Sequence, residues 1–82
     1  NQPSPVYVAP IVESNALTLS FKPANDARWR LIQIKDGNTW TTLRLMPAKE
    51  LSYRIPKRPD EVSIRHVNSS GLLSIPTVLK QQ

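Results

Sequence analysis

Apolar residues in this chain recur at every second position, in short runs, and each run is cut by proline or by a cluster of turn-forming residues. A β-strand turns alternate side chains to opposite faces, whereas an α-helix needs an apolar residue at every third or fourth position. No stretch of helical period longer than one turn is present. The clearest run is EVSIRHVNSSGLLSIP, from Glu61 to Pro76. Val62 and Ile64 alternate there with Ser63 and Arg65, the pattern of a strand with one buried and one wet face. Asn68 to Gly71 then reverses the chain, because Gly tolerates positive φ and Asn and Ser bond their own backbone, before Ile75, Val78 and Leu79 resume.

Similar signals divide the rest of the chain. Asn1 to Pro5 reads as a linker, and a single domain is expected over residues 6–80. Val6, Val8, Ile11 and Val12 form an expected edge strand, since Pro10 cannot donate to a ladder, and Ser14 and Asn15 an expected turn. In ALTLSFK, from Ala16 to Lys22, Leu17, Leu19 and Phe21 share one face of a strand placed inside a sheet. PANDA, from Pro23 to Ala27, is a loop. Arg28 to Lys35 and Thr39 to Met46 flank Asp36-Gly37-Asn38 as a hairpin, and Pro47 ends its second arm. The first arm, RWRLIQIK, is apolar at Trp29 and Leu31 and again at Ile32 and Ile34, so either a bulge shifts its phase or the strand is central and covered on both faces. Leu51, Tyr53 and Ile55 mark a short strand closed by Pro56 to Pro59, and Pro76 puts the last segment, Ser74 to Lys80, at an edge. These elements predict an all-β domain, a seven-stranded antiparallel β-sandwich.

Eighty-two residues suffice for one domain with a small core, which directs any binding to the surface. There is no cysteine, hence no disulfide and no thiolate metal site. Eleven Lys and Arg against six Asp and Glu give a formal charge of +5, a balance that invites anionic partners. The cations are spread along nearly every segment, however, as on a solvated surface. No apolar run approaches the roughly 20 residues of a membrane helix, so no membrane insertion is expected. The missing initiator Met and signal core suggest a piece excised from a longer chain or a mature product.

Taken together, ALTLSFKP, WRLIQIKDG and VSIRHVNSSGLLSIP resemble the B strand, the C strand and the F to G region of fibronectin type III modules. The resemblance implies an immunoglobulin-like sandwich. It puts Phe21 where the family usually has a buried B-strand Trp, Trp29 and Leu31 at the aromatic and aliphatic positions of strand C, and Val62, Ile64 and His66 on the core side of strand F. The family usually carries a Tyr two residues before the position of Val62, where this chain has Asp60. With the short, proline-stiffened PKRP loop, that departure looks most like the divergent accessory modules of bacterial secreted enzymes, glycoside hydrolases in particular.

No catalytic constellation accompanies this pattern. The acidic residues Glu13, Asp26, Asp36 and Glu50 lie in separate segments, and Asp60 and Glu61, being consecutive on a strand, project to opposite faces, whereas a glycosidase needs two carboxylates across a cleft. His66 is the only histidine and is expected to be structural, hydrogen-bonded at the rim of the core. Asn68-Ser69-Ser70 matches a glycosylation signal and is read as chance. Trp29 is expected in the core. Trp40, just past the hairpin turn, is the better platform for stacking, and with Arg44 forms the expected binding contact for carbohydrate or a protein partner.

The expected role is therefore a non-catalytic accessory module of a larger secreted or envelope protein, extracellular or periplasmic, monomeric, without cofactor or metal. It would act as spacer or dock for a neighbouring domain of the same chain. The alternatives are a surface binder of an anionic glycan or acidic protein through Trp40 and basic residues, and, with least support, a small basic β-barrel binding single-stranded nucleic acid.

Overall fold

The computed structural model describes residues 7–80, and everything it describes is strand, turn or irregular backbone with no helix. Seven strands run in chain order: β1 (Val12–Asn15), β2 (Thr18–Phe21), β3 (Trp29–Asp36), β4 (Thr39–Pro47), β5 (Ser52–Arg54), β6 (Glu61–Val67) and β7 (Thr77–Lys80). They form two antiparallel sheets, ordered β1-β2-β5 and β4-β3-β6-β7. The expected all-β, seven-stranded antiparallel sandwich is thus present in outline. The proposed linker over residues 1–5 lies outside the described residues.

Between the sheets sit Leu19 and Phe21 of β2, Ile32 and Ile34 of β3, Met46 of β4, Ile55 just after β5, and Val62 and Ile64 of β6. Each such side chain, removed from water, contributes about 1.5–3 kcal/mol. The alternation in β2 reads as expected, with Leu17 packed against the edge of this cluster, whereas in β6, a central strand between β3 and β7, Ser63, expected on a wet face, is buried. Strand β3 differs from expectation. It is central, between β4 and β6, and its core face carries Arg30, Ile32 and Ile34, so Trp29 and Leu31 point outward with Gln33 and Lys35. Trp29 is 37 % exposed. It is therefore not a core residue, because once Ile32 and Ile34 face inward, period-two geometry requires Trp29 to face out. The bulge lies on the neighbouring strand: Ile32 pairs with Arg44 and Gln33 with Thr42, so Leu43 of β4 is the extra residue.

The first strand also differs. Residues 7–11 form no strand, and β1 begins at Val12, still at a sheet edge. The preceding segment instead closes a seam between the sheets: Ile75 N–H donates to Tyr7 O at 3.1 Å, Lys22 N–H donates to Ile11 O at 3.1 Å, and the Thr77 hydroxyl donates to Pro10 O. Pro10 needs no ladder donor there. Ser14 and Asn15, expected as a turn, belong to β1, and the reversal falls at Ala16–Leu17, between the paired residues Asn15 and Thr18.

Ala16 makes that reversal with φ of 55°, a left-handed conformation that a Cβ disfavours by about 1–2 kcal/mol. Ala16→Gly is expected to raise the urea midpoint, with a gain of about 0.5–1 kcal/mol after the extra flexibility of glycine in the unfolded chain is subtracted. A fall in the midpoint would contradict this turn geometry.

Candidate binding surface

The β3 phase places a charge inside the sandwich. Arg30 is wholly buried, and its guanidinium donates to Ala48 O and Glu50 O, each at 2.8 Å, and to Lys22 O at 3.1 Å. It also lies over the Phe21 ring, 4.6 Å from its centre. Backbone carbonyls from the ends of both sheets thus take the place of a carboxylate. Nε, buried as well, has no hydrogen-bond partner, and burial lowers the guanidinium's proton affinity from its usual value. An unpaired buried charge is costly, so this arrangement holds only while the three carbonyls stay where they are.

That clamp fixes one end of the molecule. Arg28 N–H donates to Val67 O at 2.8 Å and Ala48 N–H donates to Arg28 O at 3.0 Å, so the start of β3 and the turn after β4 are locked to each other. Between them opens a groove of about 430 Å³, lined by Ala27, Arg28, Trp29, Pro47, Ala48 and Lys49. A second space of about 390 Å³ shares Ala27, Ala48 and Lys49 with it and continues toward Asn25 and Leu51. The exposed face of Trp29 and the side chains of Arg28 and Lys49 line this groove, and neither cation is ion-paired among the described residues.

Trp40, the expected platform, is 43 % exposed on the outer face of the four-stranded sheet, beside a smaller space of about 290 Å³. Its cation is Lys35, with Nζ 5.9 Å from the ring, itself tied to Glu61 at 3.3 Å. Arg44 does not join it. The bulge at Leu43 reverses the phase of β4, so Trp40 lies opposite the outward Lys35 while Arg44 lies opposite the inward Ile32. Arg44 leans instead across the open side of the sandwich, 3.8 Å from Glu50 and 5.6 Å from the centre of the Tyr53 ring. A joint Trp40–Arg44 contact is therefore not formed.

His66 points into the core as expected and is only 5 % exposed, yet its Nε2 is buried with no hydrogen-bond partner. The hydrogen bonds at this position are made by backbone. The His66 N–H donates to Ser74 Oγ at 2.8 Å, and Ser74 N–H donates to His66 O at 2.9 Å. The ring sits 6.3 Å from that of Tyr7. Burial, and next the charge of Arg30, lower the imidazole's proton affinity, with Asp26 opposing. The unfolded chain therefore takes up a proton at higher pH than the folded one. His66 adds no pH dependence above about pH 6.5, and stability falls as pH drops through that value until the folded imidazole also titrates. Urea midpoints followed from about pH 7.5 to 5 are expected to lose this component in His66→Leu. Parallel curves for the two proteins would contradict it.

Asp60, which stands where a tyrosine is usual in the resembled family, caps the hairpin. Its carboxylate accepts Gly37 N–H at 2.7 Å and its own N–H donates to Lys35 O at 2.9 Å, while Lys57 reaches Asp36 at 3.0 Å. Among the described residues no three His, Cys, Asp or Glu side chains converge in a way that could hold a metal ion. The groove at Trp29 was hidden from sequence reasoning by the β3 phase. Its signal was the polar continuation of the Trp29–Leu31 face into Gln33 and Lys35. Comparison of the chain with protein-family models, with curated proteins and with solved structures finds no match.

Proposed function

We propose that the chain is a non-catalytic, fibronectin type III-like module of a larger secreted or envelope protein, and that it sets the distance and orientation of its neighbours. The observation that carries this reading is the placement of the described chain ends. Tyr7 bonds to Ile75 and, through its hydroxyl, to Asp26 O at 2.7 Å, beside the start of β3. Lys80 pairs with Glu61, which pairs with Lys35 near the finish of β3. Chain entering at one end of the strands and leaving at the other suits a rigid spacer.

Strand order supports the family likeness. With β1, β2 and β5 as A, B and E, and β3, β4, β6 and β7 as C, C′, F and G, the sheets read A-B-E against C′-C-F-G, a layout of immunoglobulin-like sandwiches. Burial of Phe21, Val62, Ile64 and His66 is in keeping with the likeness, whereas Trp29 and Leu31 on the outward face of β3 depart from it. Two separate sheets, with Trp40 and Arg44 on opposite faces of β4, give no support to the nucleic-acid barrel.

The spacer reading is tested by inserting the chain between two fluorescent proteins and measuring single-molecule energy transfer against a Gly/Ser linker of equal length. A narrow distance distribution that collapses only when urea unfolds the module is expected. A distribution as broad as that of the flexible linker would overturn the reading.

A further inference from the structure

The groove beside Trp29 combines features that a spacer does not require. It has a partly exposed indole, two cations that form no ion pair among the described residues, and walls already held in place by the Arg30 clamp. From these we infer that the groove is a binding site for an acidic oligosaccharide, with one pyranose ring stacked on Trp29 and its carboxylate or sulfate held between Arg28 and Lys49.

The chemistry follows from the parts. A flat indole offers an apolar face to the C–H face of a sugar ring, and the sugar's hydroxyls stay available for polar neighbours. Asn25 lines the adjoining space, and its amide both donates and accepts, as a hydroxylated ligand requires. Three other surface cations are paired with carboxylates, Lys35 with Glu61, Arg44 with Glu50 and Lys57 with Asp36, whereas Arg28 and Lys49, which line the groove with the indole, have no ion-pair partner among the described residues. Glu50, the nearest carboxylate in sequence to Lys49, is turned away toward Arg44. A neutral sugar would leave both cations unused, so the geometry favours an anionic one.

Preorganisation strengthens the case. Arg30 holds Ala48 O and Glu50 O on either side of Lys49, and Ala48 is bonded in turn to Arg28. Little backbone freedom is left to lose on binding, which is where small ligands forfeit affinity. Nucleic acid fits less well, because a single aromatic residue among the groove's lining provides no track of alternating rings and cations.

The test uses the 82-residue chain and an NMR titration with tetragalacturonate, a sulfated tetrasaccharide, neutral cellotetraose and an oligothymidylate. Tetragalacturonate or the sulfated sugar is expected to shift the Trp29 indole and the amides of Ala27, Ala48 and Lys49, and the stronger of the two identifies the acid group preferred. Trp29→Ala, and separately Arg28→Gln with Lys49→Gln, are each expected to weaken binding about tenfold or more, while Trp40→Ala leaves it unchanged. The double charge variant lies on the surface, so it reports even if Trp29→Ala perturbs the fold. Equal binding of cellotetraose, tighter binding of oligothymidylate at the same residues, binding that survives both variants, or no shift at millimolar sugar would each overturn the inference. None of these outcomes bears on the spacer measurement, which reads rigidity alone.

Discussion

Arg30→Ala is expected to bring the domain close to unfolding at room temperature, with a loss of about 3–5 kcal/mol. Three carbonyls lose their donors, at about 1–3 kcal/mol for each that water cannot reach, and a void opens over Phe21. Small domains hold only about 5–15 kcal/mol in all, so the effect is a large share of the whole. Buried ion pairs can often be replaced by apolar residues at no cost, but that requires both partners to be replaced. Here the partners are backbone and cannot be removed. Arg30→Met should therefore still lose about 2–3 kcal/mol although it fills most of the volume. Arg30→Lys keeps the charge but carries its donors on one atom, where the guanidinium uses two nitrogens to reach three carbonyls. It should fall short of wild type as well. Urea denaturation of the three variants checks this, and an Arg30→Ala loss below about 0.5 kcal/mol would mean that the side chain lies in solvent.

The second large effect is at the centre of the sheets. Ile64 of β6 is fully buried and pairs with Ile32, so Ile64→Ala should cost about 3 kcal/mol through lost burial and an unfilled cavity. Trp29→Ala removes a larger side chain and should cost less, because part of the indole already faces water. The order matters more than either value. If Trp29→Ala proved the more damaging by thermal melting, the inward and outward faces of β3 would have to be exchanged.

Much of this fold was legible because alternation and turn chemistry agreed. In β2 the apolar residues fall on one face only, in β6 all but the terminal Val67 do, and at Asn68–Gly71 the turn residues do what their chemistry allows. Asn68 Oδ1 accepts the N–H groups of Ser70 and Leu72, both at 2.9 Å, and Gly71 adopts φ of 84°. Strand β3 was ambiguous because both faces begin apolar. An arginine on the Ile32–Ile34 face reads as an outward signal unless three carbonyls converge on it, and those come from Lys22, Ala48 and Glu50, distant in sequence. The bulge at Leu43 carries no glycine to announce it. It was this bulge that separated Trp40 from Arg44, so the expected contact failed on phase while the exposure of Trp40 did not. The shift of the first strand has a similar origin: Val8 and Ile11 have strand-forming side chains, but the backbone carbonyls of Tyr7, Pro10 and Ile11 close a seam with Ile75, Thr77 and Lys22, and Val8 and Ile11 remain exposed.

Everything proposed for the Trp29 groove depends on Arg30 facing inward. The most direct measurement is the set of nuclear Overhauser contacts from the Arg30 side chain and the Trp29 ring in the folded chain. The expected result is contact between the Arg30 Hδ protons and the Phe21 ring, with ring-current shifts on Arg30, and contact between the Trp29 indole and Pro47. Contact of the Trp29 indole with Phe21 or Ile64, and an Arg30 side chain with solvent-averaged shifts, would contradict it.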